Sequence, residues 1–218
     1  MTTLDSNPLA GMLLKLFADA AATSAELRAR MSPTSGPALQ LPNTDNYREF
    51  YMGLKDAHIP ISKETGRLLY MLIRSSGARA IVEFGLSFGI STLHLAAGLK
   101  DNGGGLVIST EFEPSKITKA RAIFKAAGLS SLVEIREGDA LDTLARDLPP
   151  RVDLVLLDGA KPLYVKVLKL VEPHLHAGSL VVADNADINP EYLAVVRAPG
   201  SGYISAPIGA DVELSMRV

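Results

Sequence analysis

The chain contains no cysteine and no tryptophan. The first absence excludes thiol nucleophiles, disulfides and zinc–thiolate centres. Neither charge dominates: 22 basic residues stand against 24 acidic ones, for a formal net charge of -2. No basic run is interleaved with aromatics, so nucleic acid is not an expected partner. No apolar run approaches the length of a membrane span. The N-terminus, MTTLDSNPLAGMLLKLFADAAA, has no basic flank before its apolar part, and Lys15 and Asp19 interrupt that part. A signal peptide is therefore not expected, and the default is a soluble, cytoplasmic protein with no membrane partner. What is present is 218 residues with 47% hydrophobic content, which suits a single domain with a substantial core.

Leu9, Leu13, Leu16 and Phe17 recur at helical spacing and predict an amphipathic helix over residues 9–30, broken by MSPTSGP at 31–37. A short helix is expected over 45–54 and another over 62–76, with Ser62 as N-cap and Thr65 at the capping-box position. From residue 79 strands and helices alternate. ARAIVEF, GLVIST, SLVEIREG, VDLVLLD and SLVVAD read as strands; GISTLHLAAGL, PSKITKARAIFKAAG, 162–173 and 190–197 read as helices. VDLVLL and SLVVA are almost wholly apolar, as central strands covered on both faces should be. YISAPI and VELSMRV leave no room for a helix between them and should form an antiparallel hairpin at one edge. The whole reads as an α/β fold with a seven-stranded, mainly parallel sheet.

IVEFGLSFG, residues 81–89, follows the first core strand directly. Gly85 and Gly89 let the backbone turn sharply and approach a ligand without a Cβ. The following helix opens free N–H groups toward the same place, and Ser91 can add a hydroxyl. The pattern is E-x-G-x-x-x-G, with Glu83 at the strand end, and not the G-x-G-x-x-G that holds a pyrophosphate. A nicotinamide dehydrogenase is accordingly disfavoured. Glu111, past the apolar part of the next strand, is placed to accept both hydroxyls of a ribose, with Glu113 as its neighbouring competitor. The plainer alternatives are a tight turn for the glycines and a solubilising charge for Glu111. GLSFG also spells the G-x-S-x-G of a hydrolase nucleophile elbow around Ser87. That reading needs a late histidine, and none of His58, His94, His174 and His176 follows Asp184. His174 and His176 are expected to cover a helix end or face solvent.

LVLLDGAK (154–161) and LVVADNAD (180–187) each end an apolar run in an aspartate, Asp158 and Asp184, and Asn185 follows the second. In a parallel sheet such strand ends converge on the ligand crevice. Two carboxylates brought together repel unless a cation or proton lies between them. Oxygen donors of this kind suit Mg²⁺, or Ca²⁺ or Mn²⁺; the alternative is a pair of helix caps. Lys161, three residues beyond Asp158, can reach the same site as a general base, or be an ordinary surface lysine at a helix start.

IVEFGLSFGIST, STEFEPSKITKA, REGDALDTL, LVLLDGAK and LVVADNAD, in this order and spacing, resemble the cation-dependent catechol O-methyltransferase group of the class I S-adenosylmethionine-dependent enzymes. The resemblance runs from about residue 55 to the C-terminus, and ADNAD with the closing DVELSMR carries it most strongly. It implies a Rossmann-like three-layer sandwich, with residues 1–55 as a helical cap that also offers a candidate homodimer contact, and 56–218 as the core. It implies metal ligands at Asp158, Asp184 and Asn185 and a catalytic lysine at Lys161. Glu111 would hold the ribose of S-adenosylmethionine, Gly85 and Ser91 its methionine end, with Glu83 near the amino group. Ala140 would lie by the adenine, Ile61 would be a backbone contact, and Asp158 would border cofactor and metal alike.

The sequence also departs from that group. Without tryptophan, the aromatic walls that grip a catechol in the mammalian enzyme are expected to be missing, with Ala160 at one such position. The late glutamate of that enzyme is replaced by the Ser205–Ala206 region. Bacterial relatives carry D-x-x-K-x-x-Y-x-x-Y; Tyr164 is kept and Val167 stands at the second tyrosine. The expected acceptor is an ortho-dihydroxy aromatic larger than catechol itself. The alternatives are a metal-independent methyltransferase and a non-catalytic protein that binds S-adenosylmethionine or another adenosine ligand.

Overall fold

The computed structural model describes residues 1–30 and 42–218; the helix-breaking segment at 31–37 lies outside them. Eight α-helices and seven strands occur among the described residues: α1 (Leu9–Arg30), α2 (Tyr47–Met52), α3 (Lys63–Ser76), β1 (Ala80–Phe84), α4 (Ile90–Asp101), β2 (Leu106–Glu111), α5 (Pro114–Ala127), β3 (Val133–Glu137), α6 (Ala140–Thr143), β4 (Val152–Leu157), α7 (Tyr164–Val171), β5 (Leu175–Ala183), α8 (Pro190–Arg197), β6 (Tyr203–Ile208) and β7 (Val212–Arg217). No helix among the described residues is long and apolar enough to cross a membrane.

The strands form one sheet in the order β3-β2-β1-β4-β5-β7-β6. The first five are parallel, and β7 runs antiparallel between β5 and β6. The terminal hairpin is therefore at the edge as expected, with its second strand inserted inward. Pro207 sits on β6, the outermost strand, where a missing N–H breaks no ladder on the open side. The strand order reverses between β1 and β4, which is where α/β sheets open a ligand crevice.

Alternation along the strands assigns each face a core. Ile81, Val107, Leu154, Leu156 and Val182 pack under α1, α3, α4 and α5. Val82, Ile108, Val155, Leu157 and Val181 pack under α7 and α8. The N-terminal helices separate: Leu9, Leu13 and Leu16 of α1 join the first core, whereas α2 lies over the crevice.

Local signals explain most boundaries. Ser62 accepts from the Thr65 N–H at 2.9 Å and Gly77 closes α3 in the left-handed region. Pro114 opens α5 and Gly128 ends it. The helix expected over 162–173 is split, because Pro162 and Pro173 leave short 3-10 turns at either end of α7. α6 has no counterpart in the sequence reading; Asp139 caps it by accepting from the Leu141 N–H at 2.8 Å.

Candidate active site

Strand register sets the site. Phe84, Leu157 and Ala183 are abreast on β1, β4 and β5. The Asp158 N–H donates to the Phe84 carbonyl and the Asp184 N–H to the Leu157 carbonyl, both at 2.9 Å. Gly85, Asp158 and Asp184 thus emerge side by side at the carboxyl edge of the sheet. Gly85 has φ +108, and a Cβ there would meet the Asp158 backbone at 2.7 Å. Its smallness serves the approach of two strand ends as much as the approach of a ligand. Gly89, at φ +82, caps α4 without a side-chain bond and leaves the first N–H groups of that helix free.

Gly85, Glu111, Ala140, Asp158, Lys161 and Asn185 line one cavity of about 240 Å³. Ile61, Ser91, Gly85 and Asp158 line a smaller one that shares its wall. Glu83 lies fully enclosed in β1. Thr92 and Ser109 donate to its Oε2 at 2.6 and 2.5 Å, while Oε1 is buried with no partner among the described residues. Burial pushes this carboxyl up to about 7, against the bonds from Ser109 and Thr92 and the nearby hydroxyl of Ser91, which falls short of a hydrogen bond. A buried oxygen without a donor is costly, and a ligand ammonium would satisfy it. Glu111 is the opposite case: the N–H groups of Ser87, Phe112 and Glu113 hold its carboxylate at 2.9, 2.9 and 3.0 Å. The carboxylate is oriented by main chain before any ligand arrives.

At the other end of the cavity, Lys161 Nζ donates to Asp158 Oδ1 at 3.1 Å and to the Tyr164 hydroxyl at 2.8 Å. That hydroxyl donates to the Asp184 carbonyl at 2.8 Å. Burial raises the Asp158 carboxyl against the pull of Lys161. Burial pushes Asp184 up to about 7, and the charge of Asp158 adds to the shift. Asn185 turns through the left-handed region at φ +51. No group of three or more His, Cys, Asp or Glu side chains among the described residues is placed to hold a metal ion, so a cation here would take two carboxylates and the amide of Asn185. Two mutually repelling, buried carboxylates, with an asparagine next in the chain that lines the cavity, fit a hard divalent ion.

The aromatic walls are not absent. α2 supplies Tyr47, Phe50 and Tyr51 to the cavity, opposite Ala160 and Leu163 of the β4 loop. Tyr51 lines the same cavity as Asp158 and Lys161; burial pushes its hydroxyl up to about 12, with the charge of Asp158 acting the same way. The Tyr47 hydroxyl donates to Asp139, and Arg48 Nε donates to the same carboxylate at 2.8 Å. The missed signal was compositional: in a chain with six tyrosines and six phenylalanines, three fall within YREFY. Ser205 donates to Glu213 at 2.5 Å and does not line the cavity.

The hydrolase alternative fails on geometry. Ser87 has φ +47, but no histidine bonds to it among the described residues. His94 is tied to the Ile90 carbonyl, His174 to the Pro149 carbonyl and His176 to Asp153; the last two are half-buried and held by a loop carbonyl and a carboxylate, in place of the helix end or open solvent expected for them. His58 stacks on Phe88 at 3.8 Å between centroids.

Comparison with known proteins agrees. Residues 35–197 match the family described as O-methyltransferase. A catechol O-methyltransferase of Niastella koreensis is 32% identical over 130 residues, covering 58% of this chain and 58% of the relative. One of Mycobacterium tuberculosis is 32% identical over 159 residues, covering 73% of this chain and 66% of the relative. The aligned segments thus span less than two thirds of both relatives. The fold is shared with an O-methyltransferase from Bacillus cereus solved in complex with SAH (TM-score 0.66, 21% identity, 93% of this chain and 99% of that one). It is shared equally with the O-methyltransferase TomG of Streptomyces achromogenes solved with SAM (TM-score 0.66, 23% identity, 89% and 96%). With the sheet order, the strand-end acids and a family match over most of its length all in agreement, the chain belongs to the O-methyltransferase family.

Proposed function

We propose that the protein transfers a methyl group from S-adenosylmethionine to one hydroxyl of an ortho-dihydroxy aromatic, with a divalent cation, Mg²⁺ or else Ca²⁺ or Mn²⁺, held by Asp158, Asp184 and Asn185. The observation that carries this reading is the joining of Asp158, Lys161 and Asp184 through Tyr164 at one end of a cavity whose other end holds Glu111 and Ala140. When bound, the two groups supply an electrophilic sulfonium methyl and a positive charge for the vicinal oxygens.

Each residue then has a task. Glu111 accepts from the ribose hydroxyls, its carboxylate already fixed by three N–H groups. The free Oε1 of Glu83 takes the ammonium of the methionine end, Gly85 and Ser91 flank that end, Ile61 contacts it through its backbone, and Ala140 lies by the adenine. Lys161 takes the proton of the attacking hydroxyl. A phenol has a pKa near 10 and attacks poorly while protonated. α2 excludes water and lays Phe50 and Tyr51 along the acceptor. An acceptor larger than catechol buries more apolar area there, at roughly 25 cal/mol per Å².

The test is turnover of a catechol by the purified protein with S-adenosylmethionine, with Mg²⁺ against excess EDTA. Loss of activity on chelation and recovery on adding Mg²⁺ is the expected result. Full turnover in EDTA would favour the metal-independent alternative, in which the Lys161–Asp158 pair stands alone.

A further inference from the structure

Tyr164 is fully buried, its ring edge-on to Phe84 at 6.3 Å and to Tyr192 at 5.8 Å between centroids. Packing from two directions leaves its hydroxyl little room to move. A tyrosine hydroxyl offers one hydrogen and two lone pairs. The hydrogen goes to the Asp184 carbonyl at 2.8 Å, so a lone pair is left for Lys161 Nζ, also at 2.8 Å. The other fixed partner of Nζ is Asp158 Oδ1 at 3.1 Å. Lys161 has a flexible four-carbon stem, and holding it in one rotamer costs entropy unless bonds fix its tip. Two such bonds are present, and the direction left open to the nitrogen is the cavity that Lys161 lines. A phenylalanine at 164 would keep the packing and lose both bonds.

We infer that Tyr164 is a positioning residue: its hydroxyl aims the Lys161 amine at the acceptor hydroxyl and ties that aim to the strand end carrying Asp184 and Asn185. The inference rests on the methyl transfer proposed above, in which Lys161 takes the acceptor's proton.

A double-mutant cycle tests it. Wild type, Tyr164→Phe, Lys161→Ala and the double variant are assayed with S-adenosylmethionine, Mg²⁺ and 3,4-dihydroxybenzoate. Tyr164→Phe should lower kcat roughly 10- to 100-fold, as expected for a misplaced reacting group, with acceptor KM and calorimetric cofactor Kd little changed. In the Lys161→Ala background the same substitution should cost almost nothing further, because the group it aims is gone. Replacing Tyr164 with 4-aminophenylalanine, which keeps a donor and an acceptor in place, should recover most of the lost kcat. It also serves if the phenylalanine variant melts too low to assay. Independently of turnover, site-resolved reductive methylation should label Lys161 several-fold faster in Tyr164→Phe, with Lys169 unchanged. Multiplicative losses in the cycle, wild-type kcat in Tyr164→Phe, or unchanged labelling of Lys161 would each overturn the assignment. An inactive wild type would reject the proposed reaction and leave the labelling result to decide the role of Tyr164.

Discussion

The two ends of the cavity are built from different material. At the end assigned to the cofactor, main chain does the work: Glu111 is held by three N–H groups, two of them from the next two residues, and α4 begins at an uncapped glycine. At the acceptor end, side chains hold one another: Lys161 rests on Asp158 and Tyr164, Tyr164 on the Asp184 carbonyl, and the wall comes from α2, far off in sequence. The first arrangement is local and tolerates losing one member. The second is a network of buried polar groups, in which removing one leaves others unsatisfied.

The comparison breaks most sharply at the carboxylates. Asp158→Asn or Asp184→Asn should each cut kcat by more than about 100-fold, since even partners outside the ligand sphere commonly cost 10- to 100-fold; partial recovery at raised Mg²⁺ is the check. Lys161→Ala should lower kcat by about 10²–10⁴-fold with little change in KM. The defect should shrink as pH rises toward the acceptor's own pKa, where solvent supplies the phenolate; a flat profile would remove Lys161 from the base role.

Effects at the cofactor end should be smaller. Glu111→Ala should weaken S-adenosylmethionine by about 1–3 kcal/mol, read by calorimetry, and leave the acceptor KM alone. Glu83 gives a pH signature. Its carboxyl is raised from 4.5 to about 7 in the folded chain, so its contribution to stability is complete below pH 4.5 and is lost as pH rises through about 7. A ligand ammonium would remove that loss. The gain in melting temperature from added cofactor should therefore grow between pH 5.5 and 8, and Glu83→Gln should flatten the trend. The smallest effects belong to the tie between α2 and the core. Tyr47→Phe should cost about 1–2 kcal/mol of stability by freeing a buried acceptor, and Arg48→Ala, at an exposed side chain, should barely move the melting temperature.

The same contrast explains what could be read from the chain. E-x-G-x-x-x-G, Glu111, LVLLDGAK and LVVADNAD were legible because strand ends and glycine turns carry local patterns; of the residues they named, Gly85, Glu111, Asp158, Lys161 and Asn185 line the cavity, while Asp184 stands at the adjoining strand end and lines neither cavity. The place of Tyr51 in the wall, the ties of Asp139 to Tyr47 and Arg48, and the bond from Tyr164 to the Asp184 carbonyl were not, because each joins parts of the chain 20 or more residues apart. α6 escaped because four residues are too few to show a period. The split of 162–173 is marked in the sequence by Pro162 and Pro173.

Asp139 holds one further consequence. One carboxylate caps α6 and binds both Tyr47 and Arg48 of α2. Burial works against its charge, yet the bonds from Tyr47, Leu141 and Arg48 outweigh it and keep the carboxyl below its ordinary value. The two short helices, more than 80 residues apart in the chain, therefore share a single latch. In hydrogen exchange their amides should open as one unit with one free energy, and acid should release both together.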